Sequence, residues 1–244
     1  MNILLISDPM NVQHITNTRF ENYRKGSDFR DIFEIQRDGI FRSDSQLWKY
    51  NKTILHSTFK QPCFWLFIHK TILKKIETCQ LPFLEHTCKV GMEVDLQDVF
   101  QRLTFDNICS VVLGFDLGCL SIEFQEVAGE KAFTEIEDAF LYRHIMPRCL
   151  WKQLKWLQVG KDKKLQQAQE IIDQMLYEQI TTSKFKMLSQ GSTLGDESQF
   201  SLLNLFMNNE SRKEKVDDKF LRNTPINLLV AGRDTISLGI TWFF

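Results

Sequence analysis

Apolar residues recur along most of the chain at the three- and four-residue spacing of a single helix face. Residues 44–60 carry Leu47, Trp48, Ile54, Leu55 and Phe59 in this register, and residues 64–85 carry Phe64, Phe67, Ile68, Ile72, Leu73 and Ile76. Residues 95–113 align Leu96, Val99, Phe100, Leu103, Ile108, Val111 and Val112. Asp95 is placed to cap that helix, Asp98 to favour its dipole, and Gly114 or Gly118 to end it. Another helix is expected over 124–145, with Pro147 just beyond its end. A long amphipathic one is expected over 161–188, with Leu165, Ala168, Ile171, Ile172, Met175, Leu176 and Ile180 on its apolar side. Ser189 to Ser198, with Gly191, Ser192 and Gly195, reads as a flexible loop.

The two ends depart from this pattern. Ile3 to Ile6 is a short apolar run closed by Asp8-Pro9, which predicts a strand followed by a helix capped by Asp8. Four apolar residues are too few for a signal peptide or a spanning helix, and a chain opening inside a strand suggests a missing upstream segment. From Ile226 to Phe244 the residues are apolar or small around the whole circumference. Such a helix is either core or membrane. Arg233 and Asp234 in its middle are costly in lipid, so a central buried helix is expected. Unbroken from Val216, it would be on the order of 40 Å long, with Pro225 starting its regular part or kinking it.

Composition narrows the class. Hydrophobic residues make up 43% and charged residues 25% of 244, which excludes a disordered chain. Only 5 Pro and 11 Gly argue against an all-β protein with many turns. Thirty Lys+Arg against 31 Asp+Glu leave no charge excess to hold a nucleic acid. Cys63, Cys79, Cys88, Cys109, Cys119 and Cys149 form no close pair and no zinc-type cluster, so they read as isolated thiols.

The candidate chemistry lies at Ala231-Gly232-Arg233-Asp234-Thr235. Ala231 and Gly232 would let a flat ligand approach the backbone. Gly232 weakens the helix, and Thr235 can turn its hydroxyl back to the Ala231 carbonyl. Together these would open a notch. An acid followed by an alcohol then places a proton source beside it. The same residues can equally serve helix packing, with Arg233 and Asp234 as a structural ion pair.

This string resembles the oxygen-activating helix of cytochromes P450. Other stretches agree in order: Phe20-Glu21-Asn22-Tyr23-Arg24-Lys25-Gly26, then Phe29 to Phe33 and Asp38-Gly39-Ile40-Phe41, resemble the family's loop before a Trp-x-x-x-Arg helix. Trp48 stands at the Trp position and Lys52 at the Arg position. Asp95 to Cys109, and Asp218 to Arg222 leading to Thr241-Trp242-Phe243-Phe244, are similar to the plant group that hydroxylates fatty acids and alkanes.

The resemblance implies a mainly α, single incomplete domain over 1–244, with a short strand region at its start. It implies haem b held by a Cys thiolate. Thr235 would hydrogen-bond the oxygen species, Asp234 would belong to the proton supply, Ala231 and Gly232 would lie on the haem face, and Trp48 and Lys52 would meet a propionate. Lys52 supplies charge but not the fork of an arginine. NADPH–cytochrome P450 reductase would be the electron partner, a lipophilic small molecule the substrate, and the endoplasmic reticulum membrane the location, although no anchor is visible. Residues 29–41 and 128–156 would line the substrate pocket, and their Phe, Ile and Leu suit a long aliphatic chain.

The family's Cys loop, downstream of the helix, does not appear before Phe244, and none of the six Cys has its context. Glu34-Ile35-Gln36-Arg37 matches the family's Glu-x-x-Arg spacing but lies upstream of Trp48, as a chance match would. The chain is therefore expected to be the first half of such an enzyme, inactive alone. A non-catalytic helical remnant or interaction protein is the alternative.

Overall fold

The computed structural model describes residues 4–190, 200–207 and 218–244. Its elements are helices. Leu4 to Asp8 has no regular structure and no strand occurs among the described residues, so the expected opening strand is absent there. The reason is pairing: no described segment offers that run a ladder, and Leu4 and Leu5 are exposed. The cap that follows forms as its sequence requires. Asp8 Oδ1 accepts the Met10 N–H at 3.1 Å, and Pro9 opens α1 (Pro9–Gln13).

α2 (Ser27–Ile32) and a tight turn over Glu34–Gln36 lead to α3 (Ser45–Phe59), which buries Ile54 and Leu55. The expected single helix over 64–85 is α4 (Pro62–Lys75), a π turn over Ile76–Gln80, and α5 (Leu81–Val90). Pro82 accounts for the division. Its nitrogen cannot donate to the carbonyl one turn back, and its ring crowds that carbonyl, so the ladder widens to π spacing just before it. α5 ends at left-handed Gly91.

α6 (Leu96–Leu113) has the predicted termini. Asp95 Oδ1 accepts the Gln97 N–H at 2.8 Å, and Gly114, at φ 80°, closes the helix. Gly118 plays no part in that cap. α7 (Ala128–Ile145) starts four residues later than its pattern suggests, because Phe124 lies at φ 50° in a non-helical turn. α8 (Arg148–Trp156) follows Pro147, and α9 (Gly160–Gln190) matches the long amphipathic stretch. The predicted loop from Ser189 begins inside α9, and 191–198 lie outside the described residues. α10 (Leu202–Met207), α11 (Asp218–Gly232) and α12 (Asp234–Thr241) complete the chain.

The core lies where α6, α7, α9 and α11 meet, around Phe105, Phe133, Ile136, Ile172, Leu176 and Leu229. A second cluster joins Phe83, Val99, Phe100, Leu103 and Leu120. Pro225 sits inside α11 without ending it. The expected unbroken rod is interrupted at Arg233 instead. Beyond it α12 packs on α6 along one side, while Ile236, Leu238 and Trp242 are 53%, 40% and 87% exposed. The last segment is thus buried over its first half only.

One polar device holds α11 in place. The Asn227 amide nitrogen donates to the carbonyls of Gln36 (3.2 Å) and Asn223 (2.7 Å), and its oxygen accepts the Phe41 N–H at 3.0 Å. The backbone approaches so closely that a Cβ at Gly39 would lie 2.0 Å from that amide nitrogen. Segment 36–41 is therefore clamped to α11, on the approach to the interruption at Arg233.

Candidate functional site

The helix break is a hydrogen-bond event. Thr235 Oγ1 donates to the Ala231 carbonyl at 2.6 Å, one turn back, as the alcohol's spacing predicts. Thr104 Oγ1 on α6 lies 3.1 Å from the Arg233 carbonyl and supports the opened turn. Ala231 and Thr235 lie on the exposed side of the break. Gly232 does not share that side. A Cβ there would meet Ile108 Cδ1 at 2.7 Å, so its missing side chain serves the approach of α6. Of the two small residues expected beside a ligand, Ala231 faces outward and Gly232 packs closely on Ile108.

Behind the break lies a charged cluster. The Arg233 side chain is 2% exposed, with its guanidinium 5.7 Å from the ring centroids of both Phe105 and Phe133. Nη1 donates to Glu137 at 2.8 Å, while Nη2 pairs with Glu130 and donates to Thr134 Oγ1 at 2.8 Å. The Arg233–Asp234 ion pair considered from sequence is the long member, at 3.8 Å. Asp234 Oδ1 instead accepts from Gln101 Nε2 at 3.4 Å. Burial pushes the Glu137 carboxyl up to about 8, helped by its hydrogen bond with Asp234 and that residue's charge, and Arg233 only partly opposes this.

Sequence reasoning reached Asp234 and Thr235 and missed Glu130, Thr134 and Glu137. The available signal was their spacing. Three residues at 130, 134 and 137 lie on one face of a helix, and a buried arginine requires such partners.

Trp48 and Lys52 form a separate group on α3. The Lys52 ammonium lies 4.6 Å from the Trp48 ring centroid, and Phe20 packs on the same ring at 4.8 Å. They line a groove of about 610 Å³ with residues 16–22. Their ring contacts run to each other and to Phe20. Glu34 binds Arg143 and Lys155, whereas Arg37 binds Asp173, so the Glu34–Arg37 spacing forms no local pair.

The whole chain, residues 1–244, matches the family model described as cytochrome P450. The chain belongs to the cytochrome P450 family. Cytochrome P450 86B1 of Arabidopsis thaliana is 35% identical over 246 residues, covering 100% of this chain and 44% of that protein. Alkane hydroxylase MAH1 of Arabidopsis thaliana is 32% identical, covering 99% of this chain and 49% of that protein. Noroxomaritidine synthase of Narcissus aff. pseudonarcissus MK-2014 is 34% identical, with 100% and 46% covered. The chain thus spans about half the length of the curated relatives it matches. Among solved structures, the cytochrome P450DA heme domain superposes with a TM-score of 0.62 at 20% identity, over 94% of this chain and 46% of that one. A cytochrome P450 named CYP102L1 gives 0.65 at 14% identity, over 90% and 47%. These two show the fold alone, that of part of a P450 haem domain.

The fit of the family's haem b can be tested on the residues present. One face fits: Ala231 offers a small exposed contact, Thr235 a hydroxyl beside it, and the outer side of α12 is apolar. Two of the thiols do not fit the role of a haem thiolate. Cys109 and Cys119 are buried, and burial followed by nearby negative groups pushes both thiols up, the opposite of what a thiolate ligand needs. Cys63, Cys88 and Cys149 are exposed on α4, α5 and α8. No helix among the described residues is long and apolar enough to cross a membrane.

Proposed function

We propose that this chain forms the oxygen-activating half of a P450 monooxygenase that hydroxylates a long aliphatic substrate, a fatty acid or an alkane. The observation that carries the reading is the Thr235 hydroxyl fixed on the Ala231 carbonyl at 2.6 Å, on an exposed helix break backed by a buried Arg–carboxylate cluster. Haem b, when bound, supplies the oxygen chemistry, with electrons from NADPH–cytochrome P450 reductase. Thr235 orients a hydrogen bond toward the reacting oxygen, and Asp234 belongs to the proton supply beside it. Ala231 leaves room for the porphyrin face, while Trp48 and Lys52 hold a propionate from α3. The aliphatic chain lies along residues 29–41 and 128–156, where Phe29, Phe33, Phe41 and Phe140 already form one aromatic wall. The likeness to the Arabidopsis alkane hydroxylase supports this substrate class, and the endoplasmic reticulum membrane is its expected setting.

On this reading the chain does not hydroxylate by itself, because none of its six Cys stands in the family's ligand-loop motif. A reduced-CO difference spectrum of the purified chain with added haem should lack the thiolate-type peak, and that peak would refute this half of the reading. The other half is tested by a chimera in which residues 1–244 replace the matching segment of the Arabidopsis alkane hydroxylase. The chimera should hydroxylate alkanes or fatty acids with the reductase. A chimera that folds and binds haem yet oxidises neither would overturn the substrate assignment.

A further inference from the structure

Three carboxylates surround one buried guanidinium. Glu130 and Glu137 come from α7 and Asp234 from the start of α12, and all three lie within ion-pair reach of Arg233. Fully ionised, they would leave two uncompensated negative charges in a largely buried pocket. Glu130 is matched by Nη2, whereas Glu137 and Asp234 share Nη1, at 2.8 and 3.8 Å. The two carboxyl groups thus converge on one guanidinium nitrogen, and Asp234 raises the Glu137 carboxyl through a hydrogen bond and its charge. Two carboxylates can hydrogen-bond only if one carries a proton. Among the described residues, the ion pairs of Glu137 and Asp234 run to Arg233. Gln101 of α6 is neutral, Thr134 is engaged by Arg233, and on α9 Lys161 and Lys164 are held by Asp138 and Glu135.

We propose that Glu137 and Asp234 form a carboxyl pair holding one proton between them at neutral pH, and that Glu137 is the group from which Asp234 is resupplied. The relay role rests on the assignment of Thr235 to the oxygen site, whereas the shared proton does not. The transfer balances without a redox partner. The shared proton moves from Glu137 to Asp234, Asp234 then releases it toward Thr235, and Glu137 takes up its replacement from solvent along its 19% exposed edge. Glu137 is a positioning residue that acts through Asp234. Burial lifts its carboxyl to about 8, so the proton is retained across the neutral range.

Infrared spectroscopy of the folded 244-residue chain tests this without haem. A protonated-carboxyl carbonyl stretch should be present at pH 7 and vanish with a midpoint near pH 8. Labelling the glutamates with carbon-13 should shift that band in the unmodified chain, so its assignment needs no variant. Both Glu137→Gln and Asp234→Asn should abolish it while circular dichroism stays helical. No such band at pH 7, or a band that survives both substitutions, overturns the shared proton. In the chimera, Glu137→Gln should change the pH profile of product formed per NADPH, with Glu178→Gln, on the exposed face of α9, as the unaffected control. An unchanged profile overturns the relay alone. Loss of the Thr235 assignment appears separately, as a Thr235→Ala chimera with unaltered coupling.

Discussion

Single residues decide two features of this chain through volume and charge. Gly39 is fixed by contact, since any Cβ would strike an Asn227 amide that three hydrogen bonds hold still. Gly39→Ala should therefore cost about 1–3 kcal/mol, read as a lowered urea midpoint. Lys75 is the second case. Burial pulls its ammonium down, but hydrogen bonds and charge from Asp106 and Asp116 outweigh that and hold it above the ordinary lysine value. Asp106 is fully buried, bonds Lys75 at 2.8 Å, and also accepts the N–H groups of Cys119 and Leu120. Lys75→Met strands that carboxylate and should cost about 3–5 kcal/mol, whereas Lys75→Met with Asp106→Asn should cost less than the two changes summed. Neither partnership was legible in the sequence. Lys75 and Asp106 are 31 positions apart, and nothing local marks a lysine that will be buried. Thr235 was legible because its bond closes within one turn.

At the scale of elements, what could be read depended on how local the cause is. The termini of α6 follow from Asp95 and Gly114 alone, and the core faces of α3 and α9 follow from spacing. The division between α4 and α5 follows from Pro82, which the apolar spacing across it conceals. α8 was missed because its nine residues, though strongly amphipathic, make too short a run between Pro147 and Gly160 to stand out by spacing. It is held from outside instead, by Arg148 and Lys152 on Asp31 and by the Arg143 guanidinium 4.7 Å from the Trp151 ring centroid. The contact between α7 and α12 carries a pH dependence with a fixed sign. The Glu137 carboxyl lies at about 8 when folded against an ordinary 4.5, so between these values the folded state binds the extra proton. Stability from this group is full below about pH 4.5 and falls as pH rises through about 8. Glu137→Gln cannot ionise, so its melting temperature relative to the parent should rise between pH 5.5 and pH 8.5. A difference that is flat or falls across that window would contradict the assignment.

For the molecule as a whole, the helices assemble around α6, which touches α4, α10, α11 and α12 and so links most of the core to the helix break. The mainly α class and the P450 resemblance were legible because five motifs recur in order. Their spatial relation was not. Trp48 and Lys52 meet Phe20 beside a groove lined by residues 16–22, and which side of the break faces outward depended on Ile108 filling the place beside Gly232. The exposed apolar residues of α12, with Trp242 87% exposed, lie on the side that Ala231 and Thr235 share, the side proposed to meet the porphyrin.

The most direct test of that assignment is the coupling of the alkane-hydroxylase chimera, measured as product formed per NADPH consumed, with and without Thr235→Ala. Removing the hydroxyl should lower coupling by roughly tenfold while haem content and NADPH consumption persist, about what one well-placed hydrogen bond near the reacting atoms supplies. Equal coupling in the two proteins, at equal haem content, would show that Thr235 does not face the reacting oxygen.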